Sequence, residues 1–159
     1  MTSNPTTPSS LDIAEEDLRQ AMELLFFAYR DFTAEPDAIL AQYNFGRAHH
    51  RVIYFVGRNP GITVNELLSI LRITKQSLNR VLRQLIQEEF IKQASDPTDR
   101  RLRRLNLTAV GAKLEADLTG QQSLRIAEAY RAAGSPAIKG FREILRGIIN
   151  VEDRDRISS

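Results

Sequence analysis

Residues 63–107 read TVNELLSILRITKQSLNRVLRQLIQEEFIKQASDPTDRRLRRLNL, and this stretch decides the fold. Thr63 with Glu66 three residues on forms a capping box that opens a short helix through Leu67, Leu68 and Leu71, with Val64 also available for burial. A break at Arg72-Ile73 follows, and Thr74 is placed to cap a second, longer helix reaching about Phe90. Leu78, Val81, Leu82 and Leu85 make the buried stripe of that helix. Lys75, Gln76, Asn79, Arg80 and Arg83 fall at i, i+1, i+4, i+5 and i+8 and so share a different face. Two helices joined by a short turn, the second carrying such a face, are a helix-turn-helix arrangement. After Phe90 the period becomes short and alternating. Ile91 to Ala94 reads as a strand, Asp96-Pro97-Thr98-Asp99 as a turn, and Leu102 to Leu107 as the returning strand, with Leu105 and Leu107 on one side. Arg100, Arg101, Arg103 and Arg104 gather at the tip and on the return strand, which makes the hairpin basic.

Outward from this centre, helix signals dominate. Leu18, Met22, Leu25, Tyr29 and Phe32 repeat at spacings of 4, 3, 4 and 3, one seam on a helix from about Asp12 to Phe32, and Leu24, Phe27 and Ala28 widen its apolar surface. Pro36 is expected to interrupt, with a further helix inside Ala38 to Val56 that ends at Gly57 and Asn59-Pro60-Gly61. On the other side Thr108 caps a long helix to about Ala133, Gly134-Ser135-Pro136 breaks it, and Pro136 starts a last helix through Val151. Met1 to Ser10 reads as a disordered tail and Glu152 to Ser159 as a charged, frayed end. The divisions are thus a tail over 1–10, an N-terminal helix over 11–35, a helix-turn-helix with hairpin over 36–108, C-terminal helices over 109–151 and a tail over 152–159.

The 159 residues carry a formal charge of +2 and no cysteine. That near-neutral total is an average of two opposed regions: residues 1–40 sum to −6 and residues 72–104 to +5. A basic segment confined to the helix-turn-helix and hairpin is the asymmetry of a local anion-binding surface. The absence of cysteine excludes disulfides, thiolate metal sites and thiol-based redox sensing within the chain. No run approaches the roughly 20 apolar residues of a membrane span, and Met1 to Ser10 lacks the basic start and apolar stretch of a signal peptide, so a cytoplasmic protein without membrane contact is expected.

The polar face of the second helix holds the residue types that read a major groove. Arg bonds bidentately to guanine, Asn and Gln to adenine, and Lys, Ser and Thr to phosphate oxygens. The helix N-terminus adds donors and partial positive charge near Thr74 to Ser77. The hairpin can reach an adjacent minor groove, whose negative potential attracts Arg. Asp99, two residues before Arg101, can brace that guanidinium through a bidentate pair. The bland reading of the same residues is a solvated helix face and a hairpin whose charges blunt a sheet edge. Strand alternation sends one of Arg103 and Arg104 outward and the other inward without saying which.

The order of elements, the Asn59-Pro60-Gly61-Ile62-Thr63 lead-in, the Asp96-Pro97-Thr98-Asp99-Arg100-Arg101 hairpin tip and the Leu107-Thr108-Ala109-Val110-Gly111 helix entry resemble the MarR family of winged helix-turn-helix transcription regulators, over about residues 12–150. The resemblance implies a mainly α fold with a small β-hairpin wing, the winged helix-turn-helix domain being flanked by N- and C-terminal dimerisation helices. It also implies a homodimer that binds a pseudopalindromic operator in double-stranded DNA and acts as a repressor, with recognition helices in major grooves and wings in minor grooves. Carried onto this sequence, Thr74, Gln76, Ser77, Asn79, Arg80 and Arg83 occupy recognition-helix positions and Asp99 and Arg101 match the wing pair; Lys75 on the same helix face and Arg100 at the basic hairpin tip complete the expected DNA-binding set. Relatives often bind small aromatic or anionic effectors between the dimerisation helices and the winged domain, which points to Phe26, Tyr29, Tyr43, Phe45, Arg47, His50 and Tyr54, although each also suits core or surface.

The rival readings are few. The apolar seams of the terminal helices fit pairing with a second copy, and they also fit an intramolecular three-helix packing. A winged-helix module whose basic face docks an acidic protein partner is the alternative function. No nucleophile and base arrangement, phosphate-cradling Gly loop or metal-spaced cluster supports an enzyme, and no cofactor is expected. His49 and His50 are adjacent and point about 100° apart on a helix, which makes a zinc site unattractive.

Overall fold

A computed structural model describes residues 12–158; the expected tail over residues 1–10 lies outside the described residues. The chain order is α1 (Glu15–Ala41), α2 (Arg47–Arg58), β1 (Ile62–Thr63), α3 (Val64–Leu71), α4 (Lys75–Gln87), β2 (Ile91–Ser95), β3 (Arg103–Leu107), α5 (Ala109–Ala133), α6 (Ser135–Ile148) and a 3₁₀ turn over Val151–Arg156. The fold is therefore mainly helical with one small antiparallel sheet, ordered β1-β3-β2.

The core lies beneath the helix-turn-helix. Leu40 of α1, Val52, Ile53 and Val56 of α2, Leu67 of α3, Leu78 and Leu85 of α4, Leu105 of β3 and Leu118 of α5 are all fully buried. The expected stripe of α4 is complete, since Val81 and Leu82 are buried as well. Helices α3, α4 and α5 each start where a side-chain cap stands. Thr63 Oγ1 accepts from Glu66 N at 3.2 Å while Glu66 Oε2 accepts from Thr63 N at 3.0 Å. Thr74 Oγ1 accepts from Ser77 N at 3.1 Å, and Thr108 Oγ1 from Gly111 N at 3.1 Å. Such caps satisfy amide donors that no helical carbonyl can reach.

Four features differ from expectation. Pro36 does not end α1, which continues to Ala41 with Pro36 buried inside it. Pro36 has no N–H to bond the carbonyl of Phe32. That carbonyl instead accepts from Gln122 Nε2 of α5 at 3.4 Å, so the helix passes the proline without orphaning the group. The division placed between residues 35 and 36 therefore falls within a continuous helix. The second change is at α4, which ends at Gln87 rather than Phe90 because Glu89 turns left-handed at φ 64° and Phe90 N bonds Leu85 O at 2.9 Å. Third, α6 stops at Ile148 rather than Val151, and Val151 joins residues 152–156, expected to fray, in the 3₁₀ turn. Fourth, Ile62 and Thr63 form a short strand paired with Leu105 and Arg104. Two residues are too few to show an alternation in sequence.

The junction from β3 into α5 leaves no room at Gly111. A β-carbon there would lie 2.0 Å from the carbonyl oxygen of Phe90, a backbone atom. That carbonyl also accepts from Thr108 N at 3.1 Å, so it is held in place. Gly111→Ala is expected to destabilise the fold by about 2 to 3 kcal/mol, the range for overpacking a rigid site. Urea unfolding followed by circular dichroism checks this, and an unchanged midpoint would contradict the described helix entry.

Candidate nucleic-acid interface

Burial of Leu78, Val81, Leu82 and Leu85 turns the opposite side of α4 to solvent, where Lys75, Gln76, Ser77, Asn79, Arg80 and Arg83 are all exposed. Among the described residues, no side-chain hydrogen bond or ion pair engages Lys75, Gln76, Asn79, Arg80 or Arg83. The amide and guanidinium donors of this face are thus uncommitted. Neighbouring Gln84 is committed: its Oε1 lies 2.7 Å from His49 Nε2. His49 Nδ1 accepts from Gly46 N at 3.0 Å, so the ring proton sits on Nε2 and Gln84 receives it. This bond ties α2 to α4 and gives His49 a structural task.

An open groove of about 640 Å³ runs between α4, the start of α3 and the wing. Lys75, Asn79 and Arg83 line one wall, Val64 and Asn65 the α3 end, and Gln93, Arg101 and Arg103 the wing side. The expected DNA set divides between this groove and its surroundings. Lys75, Asn79, Arg83 and Arg101 share the groove, whereas Thr74, Gln76, Ser77, Arg80, Asp99 and Arg100 lie outside its lining. Gln76 and Arg80 sit one turn apart on the outward side of α4, consistent with about 100° of rotation per residue.

The wing tip is held by two carboxylates with separate duties. Asp96 is buried and knots the turn: its Oδ1 accepts from Thr98 N at 2.8 Å, Thr98 Oγ1 at 2.6 Å and Asp99 N at 3.1 Å, and its Oδ2 accepts from Arg104 Nε. Arg104 also donates to Gly61 O at 2.9 Å, which fastens the wing to the start of β1. The Thr98 hydroxyl first, and then Arg104 and the turn amides, hold the Asp96 carboxyl far below the usual carboxylate range. The knot therefore persists as pH falls past the point where an ordinary Asp is protonated. Asp99 braces the other arginine. Arg101 Nε and Nη2 lie 3.2 and 3.4 Å from its two oxygens, and Arg101 N donates to Oδ1 at 3.1 Å. The Arg101 side chain is 91% exposed, so the pair orients a guanidinium without burying it.

The ambiguity between the two strand arginines is resolved by this geometry. Arg104 is used internally, while Arg103, on the strand face shared with Leu105, is exposed at the groove. Asn65, Gln93 and Arg103 are groove residues that the sequence reading did not select. Asn65 follows the Thr63 cap by two residues, but nothing in the α3 pattern marks its side as facing the wing. Asp96 was also missed as an organiser, although an Asp followed by Pro-Thr is a recognisable side-chain-to-backbone turn signal.

The seven candidate effector residues make several different contacts. Phe45 is only 6% exposed and stacks between Tyr43 and His49, with Phe90 edge-on. Phe26 is 63% exposed and packs edge-on against Phe27. Tyr54 meets Phe55, and His50 is half-buried, with burial pushing its imidazole below the ordinary value. Tyr29 and Arg47 do meet: the Arg47 guanidinium lies 5.4 Å from the Tyr29 ring centre, and Arg51 donates to the Tyr29 hydroxyl at 2.8 Å. None of the seven lines the α4 groove. Among the described residues, no three His, Asp or Glu side chains are grouped to hold a metal ion, and no helix is long and apolar enough to cross a membrane.

A family model described as MarR family matches residues 43–102, the segment from the end of α1 to the wing tip. The HTH-type transcriptional regulator PetP of Rhodobacter capsulatus is 48% identical over 149 residues, covering 94% of this chain and 90% of its own length. Among solved structures, Streptococcus pneumoniae FabT in complex with DNA matches with a TM-score of 0.73 at 16% identity, over 83% of this chain and 94% of that one. NadR in complex with 4-hydroxyphenylacetate matches with a TM-score of 0.69 at 20% identity, over 91% and 99%. The structures establish the shared fold. Near-full-length identity to a regulator, joined to a capped helix-turn-helix with a braced wing, places the chain in the MarR family of winged helix-turn-helix transcription regulators.

Proposed function

We propose that this DNA-binding regulator works as a homodimeric repressor on a pseudopalindromic operator. The observation that carries the reading is the row of uncommitted donors on α4 facing, across one groove, an arginine braced by Asp99. In this reading α4 enters the major groove. Gln76, Asn79, Arg80 and Arg83 reach base edges, while Thr74, Lys75 and Ser77 hold phosphates at the helix start. Arg101, aimed by Asp99 and flanked by Arg100, enters the adjoining minor groove.

A second copy supplies what the single chain leaves open. Leu18, Met22, Leu24, Leu25, Phe26, Phe27 and Tyr29 of α1 are 44% exposed or more, as are Phe141, Ile144 and Ile148 of α6. No residue of α6 is buried in the monomer. Contiguous apolar faces of this kind mark an interaction surface. Two copies joined along α1, α5 and α6 would present two recognition helices, and a separation near 34 Å matches successive major grooves. Residues 11–35 and 109–151 then serve dimerisation and the span between them serves DNA. A small aromatic or anionic effector that favours another separation would release the operator by population shift. The meeting of Tyr29, Arg47 and Arg51 between α1 and α2 supports a site for such a compound.

Sedimentation equilibrium should find a dimer at micromolar concentration, and Leu25→Asp with Ile144→Asp should yield a monomer; a monomeric wild type would overturn the assembly. With about 8 phosphate contacts, log affinity for operator should fall against log salt with a slope near −7. Arg101→Ala should weaken binding to all sequences and reduce that slope, whereas Asn79→Ala or Arg80→Ala should cost about 1 to 3 kcal/mol and relax preference at particular base pairs. Unchanged affinity in Arg101→Ala would remove the wing from the interface. Absence of binding to any genomic duplex at low salt would favour an acidic protein partner instead.

A further inference from the structure

The C-terminal 3₁₀ turn makes contacts that neither the core nor the DNA face explains. Arg72 closes α3 in the left-handed region, at φ 52° and ψ 42°, a position where glycine is favoured and a side chain is tolerated at a cost. Its guanidinium crosses 80 residues of sequence to Glu152 Oε1 at 2.9 Å and Asp153 Oδ2 at 3.0 Å. From the same turn Arg156 donates to Ser69 Oγ at 3.2 Å and to Asp153 Oδ1 at 2.9 Å. Three hydrogen bonds therefore join the turn to one end of α3, which closes two residues before the Thr74 cap of the recognition helix. The turn is itself fixed to α6. Arg146 donates to the carbonyls of Arg154, Ile157 and Ser158, and Arg154 donates back to those of Gly147 and Ile149.

We propose that this turn is a clip by which α6 sets the position of the α3–α4 turn, making Arg72, Glu152 and Asp153 positioning residues for DNA reading. The proposal rests on the operator-binding reading above. A lone exposed ion pair does little. Here one guanidinium is shared by two carboxylates on a segment anchored by several arginine-to-carbonyl bonds, so the geometry is over-determined. Glu152 is held below the ordinary carboxylate range by a backbone N–H and by Arg72, in keeping with a charged contact. A helix start held from α6 keeps the two α4 helices of a dimer at one separation, and specific binding depends on that separation more than non-specific binding does.

The test is the full-length Glu152→Gln/Asp153→Asn variant, compared with wild type in hydrogen exchange and in binding to two duplexes. One duplex is the operator recovered by selection from genomic fragments; the other is a random sequence of equal length. Exchange over residues 66–80 should quicken, and operator affinity should fall by about fivefold, a typical coupling between sites. Random-duplex affinity should hold or rise slightly, because two negative charges leave the neighbourhood of the reading head. Arg72→Gln should reproduce the operator loss, and combining all three substitutions should add nothing. Unchanged exchange and operator affinity would overturn the clip. So would operator affinity that rises together with random-duplex affinity, since the acids would then only mask Arg72, and so would a further loss in the triple variant. If wild type binds neither duplex, the operator reading falls, and exchange alone still decides the clip.

Discussion

Everything on the reading surface depends on the seating of α4. Leu78, Val81, Leu82 and Leu85 occupy one side of a short helix, and burying them beside α2 and beneath Leu105 leaves a single rotation available. Each fully buried aliphatic side chain contributes on the order of 2 kcal/mol. A turn of the helix about its axis would lose several of these and submerge uncommitted Arg and Asn donors. Apolar packing on one side therefore aims the polar chemistry on the other. The Thr74 cap and the His49 to Gln84 bond refine the same placement.

The wing shows a division of labour between two arginines three residues apart that charge counting hides. Arg104 is drawn inward by Asp96 and the Gly61 carbonyl, and the guanidinium is spent on holding hairpin to β1. Arg101 is kept outside by Asp99, where its exposed edge remains available. Arg72 likewise belongs to the basic segment by count, yet two carboxylates of the C-terminal turn face it. The +5 of residues 72–104 thus overstates the charge offered to a partner, because Arg72 answers acids outside that segment, whereas the Arg104–Asp96 and Arg101–Asp99 pairs are already counted within it.

What could be read from the sequence was whatever is written locally. The capping residues Thr63, Thr74 and Thr108, the apolar stripe of α4 and the Asp96-to-Arg101 turn are short-range patterns, and each appears in place. Apart from the early end of α4, which the left-handed turn at Glu89 sets locally, the misreadings involve partners distant in sequence. Pro36 passes inside α1 because Gln122, far down the chain, supplies a donor for the Phe32 carbonyl. The 3₁₀ turn meets Arg72 and Ser69, which come from the middle of the chain. Of the candidate site, the α4 face and the Asp99 brace were legible, while Asn65, Gln93 and Arg103 join the groove only once α3, β2 and β3 are assembled around it. Aromatic residues near the helix junction were visible too, but periodicity could not separate Phe45, a core residue, from Tyr29, which meets two arginines at the surface.

In the proposed function, paired copies read successive major grooves with α4 and flanking minor grooves with the wing. Chemical footprinting on an operator selected from genomic fragments tests it most directly. Paired reading gives a two-fold symmetric pattern: guanine N7 protection in two major-groove patches about one helical turn apart, with minor-groove protection on the outer sides of both. A single unsymmetrical patch, or protection confined to the backbone with no guanine protected, would contradict it.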